Sequence, residues 1–122
     1  MASQADIEKL QARTKAFAVA IVRFYAGLPK STEAQVIGRQ LLRSGTSIGA
    51  QHREAHRAKS HADFISKIEG CLQELEETQY WIEILVESGI AKMEAVAALQ
   101  SEARQLIAIF ITIARKVKAR KA

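Results

Sequence analysis

Three histidines near the middle of the sequence have the spacing that most resembles a metal site. His52 and His56 lie one helical turn apart, which can bring two imidazoles to one metal ion, and His61 follows soon after. In a zinc protease a glutamate follows the first histidine directly, whereas Arg53 occupies that position here and its cation opposes a bound metal. We therefore expect no metal site and no metal-dependent activity.

Two further patterns could support catalysis, and neither has all the residues that it needs. Gly45 and Gly49 suggest a phosphate-binding loop, but the lysine of such a loop is missing and no strand is predicted before them. Close packing of helices explains these glycines better. Cys71, the single cysteine, falls at an apolar position of a helical repeat, where a free cysteine behaves as a small hydrophobe. The sequence thus predicts no catalytic residue, no cofactor and no enzymatic activity.

Basic residues form two groups that could neutralise phosphates. The first contains Arg39, Arg43, Arg53, Arg57 and Lys59, and the second contains Arg115, Lys116, Lys118, Arg120 and Lys121. A planar guanidinium can hold a phosphate with two hydrogen bonds, and a net charge of +5 favours an anionic partner. The alternative is an ordinary solvated face and a frayed tail, since no zinc finger or RNA-recognition motif is present. Any binding to nucleic acid would be directed mainly at the backbone and would be sensitive to salt.

Helices must position these residues, because 122 residues contain only one proline and six glycines. Apolar residues recur at alternating spacings of three and four in four segments, which is typical of helices that share a core. The segments start near Ile7, near Ser31 or Thr32, near Ser60 and near Ala91. The first ends at Gly27, the second continues through Ile48 and is followed by a polar stretch from Arg57 to Ser60, the third ends at Ser88, and the fourth passes into a tail from Arg115. We predict an all-α, antiparallel, up-down-up-down four-helix bundle that forms a single domain over residues 1–122, with a basic C-terminal tail from about residue 115.

Three local features refine this prediction. Thr32 and Gln35 have the spacing of a capping box at the start of the second helix, and Ser60 with Asp63 marks the start of the third. The run from Ser44 to Ala50 contains poor helix formers, so the second helix is either bent or divided into two shorter helices.

Apolar side chains outnumber the positions that one small bundle can bury. Those beside or outside the predicted core positions are Tyr80, Trp81, Ile84, Ile107, Ile109 and Ile111. Contiguous apolar surface of this kind indicates contact with another chain, so we expect self-association, and a broader internal core is the alternative. The longest apolar runs fall short of the roughly 20 residues that cross a bilayer. With no export signal and a lone cysteine, we expect a cytoplasmic protein without membrane contact.

Three stretches of the chain resemble a known family. They are Leu41-Leu42-Arg43-Ser44-Gly45-Thr46-Ser47-Ile48-Gly49-Ala50, then Asp63-Phe64-Ile65-Ser66-Lys67, and then Glu74 with Glu77-Thr78-Gln79-Tyr80-Trp81. Together they are similar to the bacterial four-helix bundle proteins, which include proteins encoded in intervening sequences of large-subunit ribosomal RNA genes. The chain departs from the family pattern at Gln51, where asparagine is usual.

This resemblance implies a four-helix bundle that assembles into a homo-oligomer, typically a pentamer, with a relation to ribosomal RNA. It also implies kinship with accessory proteins of retroelements, which bind nucleic acid and a reverse transcriptase. A polar network that aligns the second and third helices is expected from Arg43, Ser47, Glu54, Glu74, Glu77 and Thr78. The function expected is therefore a non-enzymatic, oligomeric protein that binds RNA, and the alternative is a structural or protein-binding scaffold.

Overall fold

The computed structural model describes residues 3–120, which form four α-helices and no strand. Helix α1 spans Gln4–Ala26, α2 spans Thr32–Ala55, α3 spans His61–Glu87 and α4 spans Met93–Ala119. The predicted all-α, four-helix architecture is confirmed. The connections are short, and Gly89 between α3 and α4 has a φ of 78°, a backbone conformation that favours glycine.

Serine side chains cap the first three helices. The hydroxyl of Ser3 accepts a hydrogen bond from the amide of Asp6, and that of Ser60 accepts one from Asp63 as predicted. The capping box predicted at Thr32 is wrong by one residue, because Ser31 is the cap and accepts from the amide of Ala34. Helix α4 begins after Lys92 without a side-chain cap.

Helix α2 is continuous through the run of poor helix formers. The hydroxyls of Ser44, Thr46 and Ser47 donate to carbonyl oxygens one turn earlier in the same helix. Gly45 lies where α1 approaches, and a Cβ at that position would be 2.7 Å from Cγ1 of Ile21. Tertiary packing thus holds together a helix that local propensity alone would leave bent or divided.

Contacts between neighbouring helices run in opposite order along the chain. Against α1, the glycines of α2 pair as Gly38 with Tyr25, Gly45 with Ile21 and Gly49 with Thr14. Between α2 and α3, the hydroxyls of Ser44 and Thr78 are 2.9 Å apart, and Cys71 contacts the carbonyl of Ile48. Helix α4 packs mainly on α3 and touches α1 less extensively. Consequently the start of α1, the end of α2 and the start of α3 meet at one end of the fold. The ion pair of Lys118 with Glu69, at 2.5 Å, brings the end of α4 to the same place.

Helix α4 has one buried face, and some of its other apolar residues, such as Met93 and Ile111, are exposed. Val96, Leu99, Ala103, Leu106 and Phe110 are buried in the core. Within residues 3–120 this helix alone is long and apolar enough to cross a membrane by length and composition, yet only 28% of its most apolar stretch is buried in the chain. Core helices of soluble proteins can have the same length and composition.

Candidate nucleic-acid interface

The positive charge of the protein is concentrated at one end of the fold, where the start of α1, the end of α2, the start of α3 and the end of α4 lie together. We call residues 3–13, 50–69 and 109–120 the basic end. It carries ten cationic and five acidic side chains, a net charge of +5. The rest of the described chain carries seven cationic and eight acidic side chains. The rest of the described chain is thus nearly neutral, and the net positive charge of the protein comes from the basic end.

Both basic groups predicted from the sequence contribute to the basic end. Arg53, Arg57 and Lys59 are exposed at the end of α2 and in the following turn. Arg115, Lys116 and Lys118 are exposed on the last turns of α4, and Arg120 follows directly. Lys121 lies outside the described residues.

The predicted tail from about residue 115 is wrong for residues 115–119, which are helical. Ala114 and Val117 are buried and hold the last turns of α4 against the core. As a result, Arg115, Lys116 and Lys118 have defined positions on a helix surface.

Arg39 and Arg43 lie away from the basic end. Arg43 is bound by two carboxylates of α3, at 3.2 Å from Glu74 and in a second ion pair with Glu77. The indole of Trp81 donates to the same Glu77 carboxylate at 2.9 Å. Arg43 is thus placed to align α2 with α3, and its charge is already largely compensated.

The other residues of the expected polar network have separate partners. Glu54 forms an ion pair with Lys67 at 3.3 Å, but its side chain is 57% exposed. Ser47 donates to the carbonyl of Arg43 in its own helix and makes no hydrogen bond to α3 among the described residues. Thr78 is fully buried and bonds to Ser44 across the contact between the two helices.

The six residues predicted at an oligomer interface differ in exposure. Tyr80 and Ile111 are exposed, by 54% and 37%, whereas Trp81, Ile84, Ile107 and Ile109 are half-buried. Trp81, Ile107 and Ile109 pack against the core of their own chain. The sequence did not single out a second exposed apolar surface on α1, which includes Val19 and Val22.

A cavity of about 670 Å³ opens at the basic end between all four helices. Its walls are mostly aliphatic and aromatic, and the apolar lining residues are Ile7, Leu10, Phe64, Ile68, Ile109, Ile113 and Val117. The three histidines, His52, His56 and His61, also line it. Around it lie the cations Lys9, Arg13, Lys116 and Arg120 together with Asp6. Such a volume fits a small ligand or part of a larger one.

Two of these histidines are hydrogen-bonded to each other. The Nε2 atoms of His52 and His56 are 3.1 Å apart, and their rings meet edge to face. His52 also contacts the ring of Phe110, and His56 contacts that of Phe64. The Nδ1 atom of His52 is buried without a hydrogen-bond partner among the described residues.

Partial loss of water lowers the pKa of both imidazoles and so favours their neutral form. Loss of water around His52, helped by the nearby His56 and Arg53, lowers its pKa to about 4. Desolvation also lowers the pKa of His56. Across residues 3–120, no three histidine, cysteine, aspartate or glutamate side chains are grouped so that they could hold a metal ion.

The single cysteine is not placed for chemistry. Cys71 is fully buried and its thiol donates to the carbonyl of Ile48 at 3.5 Å. Burial raises the pKa of this thiol to about 12, so it remains protonated at neutral pH.

Comparisons with known proteins identify the family of this chain. A crystal structure of a protein of unknown function from the S23 ribosomal protein family of Bacteroides thetaiotaomicron is 36% identical, with a TM-score of 0.83. The aligned region covers 89% of this chain and 97% of that one. A comparison with curated proteins gave no match. The family model described as 23S rRNA-intervening sequence protein matches residues 8–112, and the chain therefore belongs to that family.

Proposed function

We propose that this protein is a non-enzymatic, homo-oligomeric module that binds RNA phosphates through its basic end. The observation that carries the proposal is the convergence of residues 53–59 and 115–120, which are distant in sequence, on one end of the fold. An ordinary solvated surface would spread its cations, whereas the remainder of the described chain has a slight excess of acids. The family is named for an intervening sequence of 23S rRNA, so RNA is the nucleic acid to test first.

The arrangement of the helices and the assembly of subunits are parts of the same proposal. The opposite order of contacts along α1 and α2, and along α2 and α3, supports the up-down-up-down bundle. Self-association is supported by the exposed apolar residues Met93 and Ile111 of α4 and by exposed Tyr80. Five subunits and a cytoplasmic location follow from the family resemblance.

A protein-binding scaffold is the second candidate, because the exposed apolar residues could contact a different protein. Val19 and Val22 on α1 are 42% and 46% exposed. Light scattering separates the two uses of this surface. We expect a multiple of the 13.5 kDa chain mass, whereas the mass of one chain would contradict self-association and favour a different partner.

RNA binding is tested with two variants that lose the same charge. The first replaces Arg53, Arg57, Lys116 and Arg120 by glutamine. The matched control replaces Lys15, Arg23, Lys30 and Arg104, which are exposed cations away from the basic end. With a fluorescent single-stranded RNA at low salt, we expect the first variant to bind at least about ten-fold more weakly and the control to change little. Equal losses would show that the basic end has no special role, and no binding by the wild type would refute the proposal.

A further inference from the structure

The cavity at the basic end combines three chemical features in one place. Its walls are apolar, with Phe64 among mostly aliphatic side chains. Its lining includes the exposed imidazole of His56, which can form hydrogen bonds. Cationic side chains surround it. A ligand that suits the cavity must therefore offer flat or apolar surface, a group that forms hydrogen bonds, and negative charge.

The imidazole of His56 gives the cavity a hydrogen-bonding group that a ligand can reach. His56 lines the cavity and is exposed, whereas the Nδ1 atom of His52 is buried. In a neutral imidazole one ring nitrogen donates and the other accepts, and Nε2 of His56 is already used in the bond to His52, which leaves Nδ1 of His56 for a ligand. A purely aliphatic chain would fill the cavity without using this nitrogen.

The charges at the mouth suit an anion on each side of the bound group. Within residues 3–120, Lys9, Lys116 and Arg120 form no ion pair, whereas Arg13 is held by Glu102 at 2.7 Å. Asp6 opposes an anion, but it is committed to the capping interactions of α1. Three cations are thus available near a cavity whose interior is neutral.

We propose that the cavity receives one unpaired base of the bound RNA. The base contacts the apolar walls with its faces and hydrogen-bonds to the imidazole of His56 with its edge, while the flanking phosphates contact Lys9, Lys116 and Arg120. A nucleotide in a single strand supplies all three features, whereas paired bases in a duplex are stacked and cannot enter. This inference rests on the proposed RNA binding and specifies its substrate as single-stranded or looped RNA.

The test uses a substitution that places a large side chain in the cavity and leaves the charge of the protein unchanged. Thr112 lines the cavity, is exposed, and hydrogen-bonds only to its own helix among the described residues, so Thr112→Trp adds a ring at the mouth with little disturbance to the core. Ser66→Trp is the matched control, because Ser66 is exposed at the basic end but does not line the cavity. Circular dichroism and light scattering verify that both variants keep the helices and the assembly of the wild type.

Two single-stranded RNAs of equal length and charge serve as probes, one with all its bases and one with abasic residues at its central positions. One inserted base contributes on the order of a ten-fold gain in affinity. We expect the wild type and Ser66→Trp to prefer the complete RNA by about that factor, and Thr112→Trp to bind both RNAs with the weaker affinity.

The outcomes separate the two proposals. If both RNAs bind equally to the wild type, or if Thr112→Trp keeps the preference, the base does not occupy the cavity although RNA binding stands. If neither RNA binds at low salt, the proposed function itself fails. Binding of dodecanoate that is blocked by Thr112→Trp, without a preference between the RNAs, would assign the cavity to amphiphilic anions and overturn the inference.

Discussion

The neutral state of His52 makes the stability of the fold depend on pH. In the unfolded chain this histidine has a pKa near 6.5, whereas burial lowers its pKa in the fold to about 4. Between these values the unfolded state binds the proton and the folded state does not. The contribution of His52 is therefore fully present above pH 6.5 and is lost progressively as the pH falls toward 4.

The size of the loss follows from the two pKa values. At pH 5 almost every unfolded chain carries the proton and few folded chains do, so the free energy of unfolding falls by about 2 kcal/mol relative to pH 7. His56 changes stability in the same direction, because its pKa is also lowered in the fold. Urea unfolding followed by circular dichroism at pH 7 and pH 5, at a fixed protein concentration, measures the difference.

His52→Leu is the variant that isolates this effect, since leucine has a similar size and no titrating group. We expect the variant to lose about 2 kcal/mol less than the wild type between pH 7 and pH 5. The reasoning is refuted if the wild type is equally stable at both pH values, or if the variant keeps the full pH dependence of the wild type.

Three further substitutions test the packing of α2. Gly45→Ala places a methyl group against Ile21 and should destabilise the fold by about 1 to 3 kcal/mol in thermal unfolding, and an unchanged melting temperature would contradict the close approach. Glu54→Ala should cost less than about 1 kcal/mol, because this ion pair is exposed, and a larger loss would point to a buried partner. Thr78→Val should cost about 1 kcal/mol by removing a buried hydrogen bond to Ser44, and a double-mutant cycle with Ser44→Ala should reveal coupling between the two sites.

The helices could largely be predicted from the sequence because their apolar periodicity and their breaks agree. Gly27 with Pro29, the cap at Ser60 and the turn at Gly89 lie at the boundaries that the structure shows. The continuity of α2 could not be predicted, because it depends on Ile21 and other residues of α1 that pack against its glycines. Local propensity contains no information about such a partner.

The end of α4 and the cavity were missed for different reasons. Val117 continues the apolar repeat of α4, but the surrounding lysines and arginines resemble a solvated tail. The cavity lies between the start of α1 and the end of α4, and the ion pair of Arg13 with Glu102 joins the same two helices nearby. Its size is set by the distance between these two helix ends. No spacing within one segment encodes that distance, so the histidines could be interpreted only as possible metal ligands.

Binding of single-stranded RNA across a salt series tests the central claim most directly. The logarithm of the association constant should fall linearly with the logarithm of the salt concentration, with a slope of about −0.7 for each neutralised phosphate. Replacing Arg53, Arg57, Lys116 and Arg120 by glutamine should make this slope shallower by up to about 3 units, while the matched replacement of four cations elsewhere should leave it unchanged. A slope that is the same in all three proteins would contradict an RNA interface at the basic end.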